Sequence, residues 1–259
     1  MISYPNCKIN LGLNVVRRRP DGYHDLETIF LPAPLHDILQ IEEATHFSFT
    51  QDGLTLDSGT EENLVVKAYR LMQRHTGIGN VAIHLTKKIP FGAGLGGGSS
   101  DATFTLCMLD KIFQLNLGKA RLKEMASELG ADCTFFVENV PAYATGVGNI
   151  LTPLGFNPIE GFELRIEKPE GETVSTSEAY RGVTQKNNSH IPLPKAVKEK
   201  PELWRQMIIN DFEASVFPNH PRIAQLKQQF YDQGAIYASM TGSGAAVFGI
   251  FDSNKQPTI

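Results

Sequence analysis

The sequence predicts a mixed fold, α/β or α+β, with two lobes preferred, and three observations lead to this expectation. The chain has 259 residues, 41% of them hydrophobic, which suffices to bury a substantial core in one large domain or in two packed lobes. Strand-like alternation and helical spacing of apolar residues follow one another along the chain. No internal repeat or low-complexity tract interrupts this order, so a solenoid is excluded.

Composition narrows the expected partners to small molecules. The net charge of -4 gives no overall basic field, and no local basic patch stands out, so a nucleic-acid partner is not expected. No apolar run approaches the roughly 20 residues that a membrane span needs, so no membrane partner is expected either. The sequence enters a strand-like segment without a signal peptide, which predicts a cytoplasmic protein.

The three cysteines are expected to be reduced thiols inside the fold. Cys7, Cys107 and Cys133 are odd in number and scattered along the chain. They form neither a CxxC pair nor a cysteine and histidine spacing suited to zinc. A disulfide framework and a structural zinc site are therefore both disfavoured.

The first informative element is a predicted strand over residues 7–15. Apolar residues occupy one of its faces, namely Ile9, Leu11, Leu13 and Val15, and the other carries Lys8, Asn10, Gly12 and Asn14. Lys8 and Asn10 therefore point the same way. On the alternation alone, the polar face is expected to be an ordinary solvent-facing side of the strand.

A rigid turn follows at Pro20-Asp-Gly22, with a proline suited to the second turn position and a glycine suited to the exit. Tyr23 and His24 stand directly behind it. An aromatic ring and an imidazole in this place can stack on and hydrogen-bond a flat ligand. The same pair would also suit plain packing within a loop.

A glycine-rich stretch follows a helix predicted within residues 62–76 and a strand predicted over 81–85. Its sequence is Pro90-Phe-Gly-Ala-Gly-Leu-Gly-Gly-Gly-Ser-Ser-Asp-Ala102, and a helix is predicted from Ala102 onward. It lacks the lysine of the GxxxxGK[ST] loop, and no second strand ending in an acidic residue follows as a dinucleotide fold would need. It also leads into a helix, unlike the hairpin loop of protein kinases.

These glycines let backbone N-H groups approach an anion closely, at the positive end of a helix. A flexible connection is the alternative, but it is disfavoured because each glycine loses additional backbone entropy on ordering. The stretch is therefore interpreted as a phosphate-binding loop. Ser99, Ser100 and Asp101 are the alternative N-caps of the helix.

The second half of the sequence continues the mixed pattern. Phe162, Leu164 and Ile166 alternate like a strand, and Pro169-Glu-Gly171 predicts a turn. Ser175-Thr-Ser177 can cap a short helix that carries Tyr180. Further predictions are helical patterns over residues 203–216 and 223–231 and a strand pair around Gly242-Ser-Gly244.

Three stretches together resemble the GHMP small-molecule kinases: Lys8-Ile-Asn10, Pro90 to Ser100, and Met240-Thr-Gly-Ser-Gly-Ala-Ala-Val-Phe248. The resemblance implies an α+β, two-lobed fold with an N-terminal ATP-binding domain over residues 1–153 and a smaller, ferredoxin-like C-terminal domain over 154–259. It implies ATP and Mg²⁺ as cofactors, with Ser99 or Ser100 as candidate metal contacts, and leaves the oligomeric state open. The loop residues assigned to ATP are Pro90, Gly92, Gly94, Leu95, Gly96, Gly97, Gly98, Ser99 and Ser100.

Within the family, the chain is similar to the branch that phosphorylates the cytidine diphosphate conjugate of methylerythritol in isoprenoid precursor synthesis. Four stretches carry this likeness: Lys8 to Leu11, Asp21-Gly-Tyr-His24, Gly94 to Asp101, and Gly130 to Phe136 followed by Gly146-Val-Gly148. The likeness implies that Tyr23 and His24 bind the cytosine and that Thr176 and Tyr180 touch the substrate. The segment that leads to Thr176 and Tyr180 has Pro169-Glu-Gly171 where the family has Pro-Gly.

Phosphoryl transfer needs positioning, charge neutralisation and an acceptor for the hydroxyl proton. Asp132, after a predicted helix ending at Gly130, is the expected proton acceptor, and Lys8 is expected to activate the hydroxyl or keep Asp132 ionised. Asn10 is expected to hydrogen-bond the substrate. A turn aspartate and an ordinary strand asparagine are the plainer alternatives.

Two rival functions stay open at this point. One is a GHMP kinase of another alcohol, such as mevalonate or homoserine, which Tyr23, His24 and the triple glycine disfavour. The other is a nucleotide-binding regulator without catalysis, which would have no need for both Lys8 and Asp132. A substrate panel separates the first rival from the main expectation, and turnover separates the second.

Overall fold

The computed structural model describes residues 1–54, 62–183 and 191–253. The chain divides into two compact units. Unit 1 is made of Met1–Lys8, Pro32–Phe91 and Gly96–Val140, and unit 2 of Ile9–Leu31, Gly92–Leu95 and Pro141–Ile259. The expected family domains, 1–153 and 154–259, are a different kind of division, and their boundary stays a prediction.

The described strands are β1 (Ile2–Ser3), β2 (Asn6–Arg18), β3 (His24–His36), β4 (Ile38–Glu43), β5 (Ser48–Gly53), β6 (Val81–Lys87), β7 (Ala142–Thr145), β8 (Ile150–Pro153), β9 (Phe162–Glu167), β10 (Tyr237–Met240) and β11 (Val247–Asp252). The described helices are α1 (Leu64–Thr76), α2 (Gly97–Ile112), α3 (Gly118–Leu129), α4 (Cys133–Glu138), α5 (Thr176–Arg181), α6 (Leu193–Ala196), α7 (Pro201–Met207), α8 (Phe212–Val216) and α9 (Pro221–Asp232). The mixed helices and strands confirm the predicted α+β class.

Unit 1 packs helices against a four-stranded sheet of order β1-β4-β6-β5. Strand β6 pairs antiparallel with β4 and parallel with β5. The helix predicted within 62–76 is confirmed as α1, whose N-cap Asn63 accepts a hydrogen bond from the Val65 N-H at 2.9 Å. The core between sheet and helices includes Ile41 and Ile83 from the strands and Leu106 from α2.

Unit 2 contains the antiparallel sheet of order β10-β11-β9 and most of the sheet of order β2-β3-β7-β8, in which β7 pairs antiparallel with both β3 and β8. The predicted strand at residues 162–166 and the predicted strand pair around residues 242–244 are confirmed as β9, β10 and β11. The helix predicted over 223–231 is confirmed as α9. Its buried Phe230 belongs to an apolar core that also holds Leu13, Phe212 and Phe251.

The polar face of β2 is buried, so the expectation of a solvent-facing side is wrong. Lys8 is 4% exposed, Asn10 2% and Asn14 8%. Polar groups are rarely this buried without partners, because desolvation costs free energy that hydrogen bonds and ion pairs must offset. The contacts of Lys8 and Asn10 described below supply that compensation.

The start of α2 also differs from the prediction. The helix begins at Gly97, its N-cap is Gly96 in the left-handed region at φ 69°, and no side chain in the described ranges caps it. The Ser100 N-H already donates to the Gly96 carbonyl at 2.9 Å. Ser99, Ser100 and Asp101 are therefore helical residues, and their expected role as N-caps is wrong.

The helix predicted over 203–216 is interrupted between α7 and α8. Asn210 explains the break, since its side-chain Nδ2 donates to the Met240 and Gly242 carbonyls, both at 2.8 Å. Its Oδ1 accepts from the Phe212 N-H at 3.0 Å, at the start of α8. A side chain that replaces helical hydrogen bonds in this way ends one helix and begins the next.

The cysteines behave as expected from the sequence. All three are free thiols, with Cys7 and Cys133 buried and Cys107 partly buried. Burial raises the pKa of Cys7 to about 12 and that of Cys133 to about 11. Thiols with such pKa values hold almost no thiolate at neutral pH and are poor nucleophiles.

Candidate active site

Lys8 and Asp132 form an ion pair in unit 1, as the sequence predicted for residues that act together. The Lys8 Nζ lies 3.3 Å from Asp132 Oδ2. The lysine is almost fully buried, whereas the aspartate side chain is 34% exposed. The pair therefore combines a desolvated cation with a carboxylate that solvent or a substrate can reach.

Local structure explains why the Asp132 carboxylate turns toward Lys8. Helix α3 ends at Gly130, whose N-H donates to the Ala126 carbonyl at 3.3 Å, as the sequence predicted. Asp132 occupies the N-cap position of α4, yet no side-chain capping bond exists there within the described ranges. The carboxylate is thus available for the lysine.

The end of the glycine loop packs directly on this lysine. A Cβ atom added to Gly96 would lie 3.1 Å from Lys8 Cε and 3.3 Å from the Phe136 ring. Gly96 also needs the left-handed backbone that glycine adopts without strain. Within unit 1, the Lys8 side chain and the N-terminus of α2 are therefore immediate neighbours.

The first turn of α2 has the properties of an anion-binding site. Helix geometry leaves its first N-H groups without intrahelical acceptors, and the positive end of the helix dipole lies there. Gly97, Gly98 and Ser99 supply these groups without a side-chain cap in the described ranges. This arrangement matches the phosphate-binding role expected for the loop.

The first part of the loop, Gly92–Leu95, belongs to unit 2 and packs on the turn between β10 and β11. A Cβ on Gly94 would lie 2.0 Å from the Thr241 carbonyl oxygen, so only glycine fits there. The Ala245 and Ala246 N-H groups donate to the Gly92 and Ala93 carbonyls, both at 3.2 Å. The third motif thus holds this part of the loop in place.

Asn10 is the centre of a buried hydrogen-bond network in unit 2. Its Nδ2 donates to Thr28 Oγ1 at 2.9 Å, and its backbone N-H donates to Thr241 Oγ1 at 3.0 Å. Thr28 in turn donates to the Gly12 carbonyl at 2.6 Å. Sequence reasoning missed both threonines, although Thr241 stands inside the third motif. The substrate contact of Asn10 stays a prediction.

His24 and Tyr180 are brought together in unit 2. Their rings stack with centroids 4.5 Å apart and an interplanar angle of 15°. Tyr180 also meets Phe212 edge to face at 4.8 Å. Burial, with a smaller contribution from the Arg18 charge, lowers the pKa of His24, which favours the neutral imidazole with one donor and one acceptor nitrogen.

The remaining predicted substrate residues lie on a turn and a helix start. The predicted turn at residues 20–22 is confirmed, with the Gly22 N-H donating to the Arg19 carbonyl, and the Tyr23 side chain is 67% exposed. Ser175 caps α5 by accepting from the Glu178 N-H at 3.2 Å. Thr176 begins that helix, and its Oγ1 is 3.5 Å from Ser243 Oγ.

Candidate metal contacts are few. Across residues 1–54, 62–183 and 191–253, no group of three or more His, Cys, Asp or Glu side chains is arranged to hold a metal ion. Ser100 Oγ is buried and has no hydrogen-bond partner among the described residues. A hydroxyl oxygen of this kind suits Mg²⁺, which prefers oxygen ligands and takes much of its coordination from waters and phosphates.

Comparison with known proteins identifies the family of this chain. The family profile of the GHMP kinases N terminal domain matches residues 63–140, and that of the GHMP kinases C terminal region matches 193–259. A 4-diphosphocytidyl-2-C-methyl-D-erythritol kinase of Bacteroides thetaiotaomicron is 47% identical over an alignment of 256 residues, and the match covers 97% of this chain and 92% of that protein.

Solved structures give the same result. A crystal structure of 4-(cytidine 5'-diphospho)-2C-methyl-D-erythritol kinase superposes with a TM-score of 0.82 at 32% identity, covering 96% of this chain and 90% of that one. Mevalonate kinase from Methanococcus jannaschii superposes with a TM-score of 0.74 at 14% identity, over 98% and 92% of the chains, and shows the fold alone. The chain belongs to the GHMP kinase family, within the group of the 4-diphosphocytidyl-2-C-methyl-D-erythritol kinases.

Proposed function

We propose that this protein transfers the γ-phosphoryl group of ATP to the 2-hydroxyl of 4-diphosphocytidyl-2-C-methyl-D-erythritol, a step of isoprenoid precursor synthesis. The observation that carries the proposal is the Lys8 and Asp132 pair packed against Gly96, where the glycine loop enters α2. A proton acceptor, a buried cation and a phosphate-binding helix end are the parts that phosphoryl transfer to an alcohol requires. Relatives with this kinase name support the choice of substrate.

The chemical step follows from these groups. Asp132 accepts the proton of the 2-hydroxyl as the oxygen bonds to the γ-phosphorus, and the bond from that phosphorus to the β-γ bridging oxygen breaks to release ADP. Lys8 holds the Asp132 carboxylate in place through the ion pair and offsets negative charge on the transferred group. General base catalysis of this kind typically contributes about 10²- to 10⁴-fold to the rate.

The nucleotide is held by backbone groups more than by side chains. The N-H groups of Gly97, Gly98 and Ser99 bind phosphate oxygens at the N-terminus of α2. Ser100 is the residue that fits a Mg²⁺ contact, since its buried hydroxyl has no other partner in the described ranges. A bound Mg²⁺ would supply positive charge that offsets the negative charge of the phosphate groups.

The cytidine group is assigned to unit 2. The exposed Tyr23 ring offers a stacking surface, and such stacking is worth about 1 to 3 kcal/mol per base. A neutral His24, oriented by its stack on Tyr180, offers both a donor and an acceptor to the polar edge of cytosine. Thr176 and Asn10 remain proposed contacts of the substrate. A cytoplasmic location also remains a prediction from the sequence; no described helix is long and apolar enough to span a membrane.

The test is ADP release with ATP and Mg²⁺, comparing 4-diphosphocytidyl-methylerythritol with mevalonate and homoserine. We expect turnover with the cytidine conjugate alone. Asp132→Asn should retain nucleotide binding and lose turnover, whereas Asp232→Asn, an exposed aspartate on α9, should behave as wild type. Preference for another alcohol would overturn the substrate, and nucleotide binding without any turnover would favour the regulator.

A further inference from the structure

Unit 1 contains a second, fully buried ion cluster that the proposed reaction does not use. Lys87 is 2% exposed, Asp37 0% and Asp101 2%. The Lys87 Nζ pairs with Asp37 and lies 2.8 Å from Asp101 Oδ2. One cation and two carboxylates are thus removed from water together, which is costly unless their geometry is well satisfied.

Asp37 fixes the segment that leads into the glycine loop. It stands between β3 and β4, and its Oδ1 accepts hydrogen bonds from the Lys88 N-H at 2.5 Å and the Ile89 N-H at 2.8 Å. Its other oxygen accepts from the Lys87 ammonium. Three donors on one carboxylate hold the end of β6 and the residues just before Pro90.

Lys87 reaches the other end of the loop. Asp101, the second partner of Lys87, lies in the second turn of α2. Gly97 is the first residue of that helix, and a Cβ atom added to it would lie 3.1 Å from Lys87 Nζ and 2.7 Å from Ile89 Cγ2. The same ammonium therefore touches the strand side through Asp37 and the helix side through Asp101. The Lys87 Nζ atom thus links the end of β6, which precedes the loop, to the start of α2, which follows it.

We propose that Lys87 is a positioning residue for the phosphate loop, holding the N-terminal turns of α2 against the end of β6 through Asp101 and Asp37. The cluster contacts the residues just before the phosphate loop and the first turns of the helix that follows it, so its effect falls on the nucleotide. The proposal rests on the proposed nucleotide binding of this loop but not on the identity of the alcohol. Buried ion clusters seldom stabilise a fold more than apolar packing would. The role of this cluster is to fix one geometry of the phosphate loop.

The first test measures MgADP affinity by calorimetry for Lys87→Met and Lys88→Met. The two lysines are adjacent, but Lys88 is exposed and only its backbone N-H joins the cluster. We expect at least tenfold weaker MgADP binding for Lys87→Met and a change below twofold for Lys88→Met. In turnover assays, Lys87→Met should raise KM for ATP at least tenfold and leave KM for the alcohol within twofold.

The second test uses Asp101, which keeps the proposal testable if Lys87→Met does not fold. Asp101→Asn keeps an oxygen that can accept from Lys87 and should bind MgADP within about threefold of wild type. Asp101→Ala removes that acceptor and should weaken binding at least tenfold. If Lys87→Met folds, the Lys87→Met/Asp101→Ala double variant should bind no more weakly than the weaker single variant, since both remove the same link.

Wild-type MgADP affinity in folded Lys87→Met or Asp101→Ala would overturn the proposal, and so would losses that add in the double variant. Thermal melting, measured separately, reports any purely structural effect, which would lower Tm without changing the affinity of the folded protein. Because MgADP binding requires no acceptor alcohol, a wrong substrate leaves these outcomes intact. Failure of wild type to bind MgADP would overturn both proposals, whereas binding without turnover would overturn only the proposed reaction.

Discussion

Unit 1 contains two buried lysines that differ in the exposure of their partners. Lys8 pairs with the Asp132 carboxylate, with 3.3 Å between Lys8 Nζ and Asp132 Oδ2, and the Asp132 side chain is 34% exposed. Lys87 pairs with two carboxylates that are at most 3% exposed. Both lysines lie close to the start of α2, at Gly96 and Gly97 respectively. We call the Lys8 and Asp132 pair open, because its carboxylate is partly exposed, and the Lys87, Asp37 and Asp101 cluster closed, because all its members are buried.

This difference separates chemistry from positioning. A carboxylate that accepts a proton from a substrate must be reachable, as the partly exposed Asp132 is. A group that fixes a backbone geometry is most effective when every donor and acceptor is enclosed and unable to exchange partners. We therefore expect changes at Lys8 to affect turnover and changes at Lys87 to affect stability and nucleotide affinity.

The largest expected effect is on turnover in Lys8→Met. Without the ammonium, Asp132 loses its ion pair and the transferred group loses a nearby positive charge, so kcat should fall about 10²- to 10⁴-fold. The loss of stability should be smaller than in Lys87→Met, because the partly exposed Asp132 can be hydrated once the lysine is removed. Steady-state kinetics and urea unfolding measure the two quantities. A variant that loses stability but keeps kcat would show that Lys8 is structural and break the comparison.

The next largest effect is on stability in Lys87→Met. Removing the ammonium leaves two buried carboxylates with no cation between them, which should lower the free energy of unfolding by about 3 to 5 kcal/mol. Lys88→Met should stay within about 0.5 kcal/mol of wild type, as exposed substitutions do. Urea unfolding at neutral pH checks both values. Equal stabilities of the two variants would mean that the Asp37 and Asp101 carboxylates find other partners or water when Lys87 is removed, and would contradict the description of the cluster as closed.

The sequence predicts the open pair much better than the closed cluster. Lys8 and Asp132 stand in motifs, and α1, β6 and α9 follow from apolar periodicity within short segments. Asp37 carries no comparable signal, because its role arises from Lys87, which is 50 positions away in the chain. The burial of Lys8 and Asn10 was likewise missed, since alternation shows which residues share a face but not what covers that face.

The start of α2 shows a second limit of sequence reasoning. Glycine has low helix propensity and serine favours N-caps, so local preference places the helix start after the glycines. The structure places it at Gly97, where a Cβ would meet Ile89 and Lys87. Tertiary packing, which requires glycine in the first turn, overrides propensity here. In the candidate site, the motif residues were predictable, but the supporting Thr28 and Thr241 were not.

The smallest expected effect concerns His220 in unit 2, a partly exposed histidine that lies between two glutamates. His220 Nδ1 is 2.6 Å from Glu172 and its Nε2 is 3.1 Å from Glu178, and these side chains are 16%, 17% and 33% exposed. The hydrogen bond to Glu172 is the main cause that raises the pKa of His220, partial burial opposes it, and Glu178 adds to it. The imidazolium can donate to both carboxylates, whereas the neutral ring can donate to only one.

Because the folded-state pKa is raised, the contribution of His220 to stability is fully present below its unfolded pKa of about 6.5 and is lost as pH rises through the folded value. His220→Gln should remove this pH dependence and cost about 1 kcal/mol at pH 6, with a smaller cost at pH 8.5. Urea unfolding of both proteins at the two pH values measures the difference. Glu178 lies on α5 with Thr176 and Tyr180. If His220→Gln lowers the free energy of unfolding equally at both pH values, the contacts of His220 hold α5 whether or not the imidazole is charged. Partial exposure would then be no guide to which ion pairs respond to protons.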